Sequence, residues 1–238
     1  MKPTIILVHG AYAEASSWND LIPPLLDEGH RVIAWAAPLR GLASDAAALS
    51  DLVRTVEGPV VLVGHSFGGA LLTNVAPDAG QISALVFVAG YALNPGESCA
   101  DASGLTPGGT LGPTLERVPL ADGSVDTYIA QDKYHQQFAE DLPAEQSRIM
   151  AVTQRPIAES ALGEPSPSQS PLWQSVPSWF IWGEQDRNIP AGAHRIMSER
   201  TDARAAVEIA GASHVVGMSH PTETLQMVLE AAGALAEA

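Results

Sequence analysis

The chain has 238 residues, 46% of them hydrophobic and 16% charged, with a formal net charge of −15. That is the balance of a globular domain able to bury a sizeable core, not of a disordered chain. Lys2 and Lys133 are its only lysines; this excludes the basic clusters that nucleic acid or an anionic membrane surface would need, and no apolar run approaches the roughly 20 residues that span a bilayer.

The opening MKPTIILVHG reads as the first strand, Thr4–Val8. A secretory signal would need a longer apolar region and a small-residue cleavage site, so a cytoplasmic protein is expected. Ser16–Glu28 follows as a helix, capped by Ser16 or Ser17 and stopped by Gly29, with Pro23 and Pro24 interrupting its regularity. Arg31–Ala36 is the second strand. Ser44–Val56 is a helix with Ser44 as its cap and Gly58-Pro59 as its end. Val60–Val63 is the third strand, Phe67–Val75 a helix, and Ile82–Ala89 the fourth strand.

The alternation then stops. Between Tyr91 and about Pro177, Gly, Pro and Ser are frequent, and the spacing predicts a hairpin over Thr114–Ile129 turning at Asp122-Gly123, then a helix over Leu142–Gln154 with Pro143 in its first turn. Cys99, the single cysteine, lies here, so the chain has neither an intrachain disulfide nor a cysteine zinc site. Alternation resumes with a strand at Ser178–Trp182, a helix at Pro190–Glu199, a strand at Ala206–Ala210 and a helix at Pro221–Ala236. Strands separated by helices need crossover connections, which make the sheet parallel and cover both its faces. The expectation is an α/β fold: a mostly parallel, doubly wound sheet of about six strands. Residues 1–90 and 178–238 form its core, and 91–177 form a lid inserted after the fourth strand.

In such a sheet, chemistry collects at the carboxyl ends of the strands. Ser66 stands there, in Val60–Ala70, VVLVGHSFGGA. The spacing Gly64-x-Ser66-x-Gly68 between a strand and a helix is that of a nucleophile elbow, a turn so tight that flanking side chains would collide. The hydroxyl is presented above a helix N-terminus, where unpaired N–H groups favour negative charge. A phosphate loop is the competing reading, but GHSFGGA lacks the Gly-Lys-Ser/Thr ending.

A serine hydroxyl needs a base oriented by a third group, and in an elbow the chain order is Ser, acid, His. Of the seven histidines, His214 follows the last strand. His9 and His65 sit in the strand-end motifs, His30 in a turn, His135 and His194 on helices, and His220 before Pro221. His214 is the expected base. Asp186, in the loop after the fifth strand, is the expected acid; Glu184 is two residues away, and Glu97 is the candidate from the loop after the fourth strand. The oxyanion hole is expected from Phe67 N–H and from the loop after the first strand: Ala11 N–H, with Tyr12 as the neighbour that could replace it.

HGAYAEASSW, GHSFGG, WGEQDRNIP and GASHVVGMSHP, in this order, resemble the α/β-hydrolase superfamily along nearly the whole chain. The HGA-x6-W opening is similar to that of small esterases grouped with plant methyl esterases and hydroxynitrile lyases, and of bacterial carboxylesterases. The resemblance implies a Ser66–Asp186–His214 triad, an oxyanion hole from Ala11 and Phe67, no cofactor, and a lid over the pocket. The hydroxynitrile lyases of this group carry threonine at the position of Gly10 and lysine at that of Val215, and this chain has neither.

The expected activity is therefore hydrolysis of a small, uncharged, fairly apolar ester or lactone through an acyl-enzyme. The alternatives are a carbon–carbon lyase and a non-catalytic small-molecule receptor on the same shell. Tyr12, Tyr91, Leu93, Tyr128, Tyr134, Phe138 and Trp173 are the candidates to line the pocket, against the plainer reading that they pack the lid onto the core. No metal is called for; the expected partner is a small-molecule ester, and a homodimer stays open.

Overall fold

The computed structural model describes residues 1–234. Its centre is a six-stranded sheet in the spatial order Val32–Trp35, Thr4–Val8, Pro59–His65, Gln81–Val88, Ser178–Gly183 and Ala205–Ile209, with every neighbouring pair parallel. The strands are β1 (Thr4–Val8), β2 (Val32–Trp35), β3 (Pro59–His65), β4 (Gln81–Val88), β8 (Ser178–Gly183) and β9 (Ala205–Ile209). The central strands are continuous apolar runs because both of their faces are covered: β1 and β8 are buried along their whole length, whereas the edge strands β2 and β9 are only partly so. The chain leaves β1 in one direction to β2 and returns on the other side of β1 to β3. The order thus reverses between β1 and β3, which opens a crevice at their carboxyl ends.

The helices packed with the sheet are α1 (Ile22–Asp27), α2 (Leu42–Arg54), α3 (Phe67–Thr73), α8 (Ala191–Arg200), α9 (Val216–Ser219) and α10 (Pro221–Gly233). The helix expected over Ser16–Glu28 is instead a 3₁₀ turn at Ala15–Trp18 followed by α1. Pro23 and Pro24 have no N–H to donate, so they fit only the first turn of α1. α2 begins at Leu42, two residues before the expected cap Ser44. Of the expected last helix, the part beyond residue 234 lies outside the described residues.

Residues 91–177 enter between β4 and β8. They contain α4 (Cys99–Ser103), the hairpin strands β5 (Leu115–Pro119) and β6 (Val125–Ile129), α5 (Gln131–Phe138), α6 (Ala144–Thr153), β7 (Ile157–Ala158) and α7 (Glu159–Gly163). β5, β6 and β7 form a separate antiparallel sheet. Gly123, at φ +87°, supplies the left-handed residue of the β5–β6 turn.

This segment is bonded to the carboxyl edge of the large sheet. Tyr12 N–H donates to Arg155 O at 3.1 Å, and Tyr134 OH donates to Tyr12 O at 2.7 Å. The Gln137 amide donates to Asn188 Oδ1 at 2.7 Å. Among the described residues, no helix is long and apolar enough to cross a membrane.

Candidate active site

Ser66 follows the last residue of β3 at φ 52°, ψ −120°, a backbone conformation that L residues adopt only under strain. Close packing maintains it. A Cβ on Gly64 would meet the backbone of Gly68 and Gly69 at 2.7 Å, and one on Gly68 would lie 2.3 Å from Val8 O. The two glycines thus let β3, the turn and α3 pack against one another and against β1 with no intervening side chain. Ser66 N–H donates to Val88 O at 3.3 Å, and Ser66 O accepts from Gly69 N–H at 2.9 Å.

His214 lies in the loop between β9 and α9, and Asp186 in the loop after β8. Both side chains are wholly buried, and His214 Nδ1 is 2.7 Å from Asp186 Oδ2. Because Nδ1 donates to a carboxylate, Nε2 is the free acceptor of the neutral ring, and it is buried without a hydrogen-bond partner. The imidazole lies against His65, next to Ser66 in the chain, with ring centroids 4.8 Å apart, and against Phe138 at 5.1 Å. His65 Nε2 donates to His214 O at 3.1 Å, which ties the elbow to the histidine loop. His214 Nε2 makes no hydrogen bond to Ser66; a bond between nucleophile and base is often long without substrate and tightens when it is bound.

The two rival acids are engaged elsewhere. Glu97 pairs with Arg200 at 2.5 Å, and Glu184 accepts from Gly211 N–H at 3.0 Å. Asp186 is the carboxylate at His214. Burial alone would disfavour its charge, but the attraction of His214 and the hydrogen bonds from His194 and His214 outweigh it and hold the carboxyl well below its usual range. His65 is pushed down to about 3, first by burial and then by repulsion from His214, so it stays neutral. His9 is also lowered, chiefly by burial. Its Nε2 accepts from Ala37 N–H at 3.0 Å and its Nδ1 faces Gly10 O at 2.9 Å, so the ring holds the loop that carries Ala11.

Phe67 opens α3, so its N–H has no intrahelical acceptor. Tyr12 N–H is taken by Arg155 O, which removes it as an alternative to Ala11.

Two adjoining hollows lie near the site; His65 of the elbow lines the inner one, and Ser66, Asp186 and His214 line neither. The inner one is narrow, with a free volume of about 10 Å³, and is walled by Trp18, His65, Val88, Phe138, Met150 and Val215 among others. The outer one, with a free volume of about 30 Å³, includes Tyr12, Glu14, Tyr134 and Gln154; the two share Ala13, Ser17, Met150 and Met218.

Of the expected lining residues, Tyr12, Tyr134 and Phe138 are therefore here. The other expected residues lie elsewhere. Tyr91 hydrogen-bonds Ser103 at 2.7 Å and borders a separate surface cleft with Cys99 and Thr106. Trp173 donates to Leu93 O at 2.9 Å, so these two residues pin the inserted segment to itself. Tyr128 stands opposite Glu116 and, by strand alternation, on the face away from Thr127, whose hydroxyl meets Tyr12. Sequence reasoning missed Trp18, Met150 and Met218. Trp18 had a local signal as the tryptophan of the HGA-x6-W opening, and Met218 in its place four residues after His214; Met150 had none.

The alpha/beta hydrolase family model matches residues 5–227. Methylesterase 2 of Arabidopsis thaliana is 26% identical, covering 90% of this chain and 90% of its own. The alpha-hydroxynitrile lyase of the same plant is 27% identical, over 92% of this chain and 93% of its own. In the crystal structure of polyneuridine aldehyde esterase the same fold recurs with a TM-score of 0.80 at 20% identity, across 97% of this chain and 99% of that one. A match over nearly the full length, on a parallel sheet with a serine elbow at its switch point, makes this chain a member of the alpha/beta hydrolase family.

Proposed function

We propose that the protein is a serine hydrolase of carboxylic esters. The observation that carries this reading is the bare, buried Nε2 of His214, on a ring packed against His65 of the elbow while Nδ1 is held by Asp186. An imidazole so held is a base with one open acceptor, and Ser66, next to His65 in the chain, is the hydroxyl assigned to it.

In this mechanism His214 takes the Ser66 proton as Oγ attacks the ester carbonyl. The Ala11 and Phe67 N–H groups receive the oxyanion, a donor each worth about 3–4 kcal/mol in the transition state. The alcohol leaves with the proton from His214, and water then releases the acid by the same steps in reverse. Asp186 keeps its charge throughout and stabilises the imidazolium. No step calls for a cofactor.

The walls of the inner hollow are mostly apolar, and no lysine or arginine is among them. This favours an uncharged, apolar ester or lactone. Residues 91–177, which supply Phe138 and Met150, act as the lid over it. A lyase is disfavoured because Val215 puts an apolar side chain where the lyase pattern has a lysine, leaving no cation for a departing cyanide. A cytoplasmic setting suits a chain whose one cysteine, Cys99, is buried and unpaired.

The test is a turnover panel of aryl, short-chain, long-chain, methyl and lactone esters, with a Ser66→Ala protein beside the native one. Turnover of neutral esters is expected from the native chain alone. A Ser66→Ala protein that kept the native rate would overturn the reading. Cyanide or aldehyde release from a cyanohydrin, without esterase activity, would favour the lyase.

A further inference from the structure

His194, in the first turns of α8, belongs to none of the roles above, yet its ring is wholly buried against the acid of the proposed triad. The Asp186 carboxylate has four donors. Oδ1 accepts from Asn188 N–H at 2.8 Å and Ile189 N–H at 2.9 Å. Oδ2 accepts from two imidazoles, His214 Nδ1 at 2.7 Å and His194 Nε2 at 3.1 Å.

The second imidazole has a defined form. Its Nδ1 is buried with no hydrogen-bond partner, so the one proton of the neutral ring sits on Nε2, toward the carboxylate. Burial disfavours a second proton, and His214 nearby disfavours it further, against the pull of Asp186 and Glu208. The ring is also fixed from behind. It stacks on Trp182 of β8 with centroids 5.8 Å apart and planes at 21°. Trp182 Nε1 donates to Glu208 Oε2 at 2.9 Å, and Glu208 is paired with Arg195 at 2.7 Å. The charged and titratable groups around His194 are thus Asp186 and His214 on one side and the mutually neutralising Glu208–Arg195 pair on the other.

A neutral donor at this place has a particular consequence. With Oδ1 alone anchored, the carboxylate plane could tilt and carry Oδ2 away from His214. A second N–H on Oδ2 fixes that plane. A lysine or arginine would fix it too, but would cancel the charge that an imidazolium at His214 needs. An uncharged imidazole supplies the hydrogen bond and leaves the charge in place.

We propose that His194 is a positioning residue: a neutral second imidazole that fixes Asp186 Oδ2 and thereby aims His214 at Ser66. The proposal rests on the serine esterase reading.

The experiment uses the full chain with p-nitrophenyl acetate as probe and compares native, Ser66→Ala, His194→Phe and His194→Gln proteins. It records kcat, KM, melting temperature and the far-downfield proton NMR signal of the His214–Asp186 hydrogen bond. His194→Phe is expected to lower kcat about 10-fold or more with KM unchanged, and to shift or broaden the signal. His194→Gln keeps an N–H able to reach Oδ2 and is expected to restore both. Should the Phe protein fail to fold, His194→Leu serves the same comparison.

Native kcat and an unmoved signal in the Phe or Leu protein would overturn the proposal, as would a Gln protein no better than either. Absence of Ser66-dependent turnover in the native protein would instead sink the esterase reading. The NMR comparison would still decide whether His194 orients the pair.

Discussion

A Cβ on Gly10 would lie 2.6 Å from Cβ of Ser66 and 2.9 Å from His65 O. The residue after the first-strand histidine and the elbow serine are thus in contact across the ends of β1 and β3, with no room for a side chain between them. Gly10→Thr must therefore displace Ser66 or the elbow backbone. The expected result is a folded protein whose ester turnover drops by about 100-fold, the usual penalty for misplacing a reacting group by about an ångström. Steady-state rates, together with the rate of Ser66 labelling by a fluorophosphonate, check this. Full native labelling in the threonine protein would refute it.

The elbow stores strain that a glycine would release. Ser66 sits at φ 52°, ψ −120°. Such backbone costs about 1–3 kcal/mol for a residue with a Cβ, while glycine loses about 0.5–1 kcal/mol more in conformational entropy on folding. Ser66→Gly is expected to be inactive yet more stable by about 1 kcal/mol in urea unfolding. Ser66→Ala keeps the Cβ and should gain almost nothing. Equal stabilities for the two variants would show that the turn is unstrained.

Stability should fall on acidification well before the carboxylates titrate. His9, His65 and His194 are all lowered, chiefly by burial, and His65 to about 3. The unfolded chain binds protons near pH 6.5 that the native state refuses, so stability is present above that pH and falls as pH drops toward the native values. Within the window each such histidine contributes about 1.4 kcal/mol per pH unit. Asp186 acts in the same sense but in a lower window: its native value is depressed, so its contribution holds above the unfolded carboxylate range and is lost only below about pH 4. Unfolding free energies between pH 7 and 4.5 should show the steep slope, and His65→Gln should flatten it by about one proton. An unchanged slope would exclude His65 as a source.

The start of α2 is stabilised from across the chain. Leu42 and Ala43 N–H donate to the Glu164 carboxylate at 2.6 and 3.1 Å, whereas Ser44 Oγ turns back to Gly41 O at 3.2 Å. Glu164→Ala should cost about 1 kcal/mol, through loss of both the cap and the charge at the helix N-terminus. Ser44→Ala should cost less than about half of that. Denaturant midpoints compare them, and the reverse order would restore Ser44 as the cap.

The sequence by itself determined the strand–helix alternation, hence a parallel sheet, and placed Ser66, Asp186 and His214 at the ends of β3, β8 and β9. Apolar run length, the glycines around Ser66 and chain order are local quantities, and they survive intact into the fold. Tertiary structure alone decided the rest. Whether Glu97, Glu184 or Asp186 met His214 depended on which carboxylates Arg200 and Gly211 N–H had already engaged. Which aromatics reached the hollow depended on how residues 91–177 lie over the sheet, since a tyrosine that walls a cavity and one that pins a loop have the same sequence signature. The cap of α2 by Glu164 and the second imidazole on Asp186 were beyond local reading for the same reason. Each is a contact between side chains whose proximity is set by packing, not by sequence spacing.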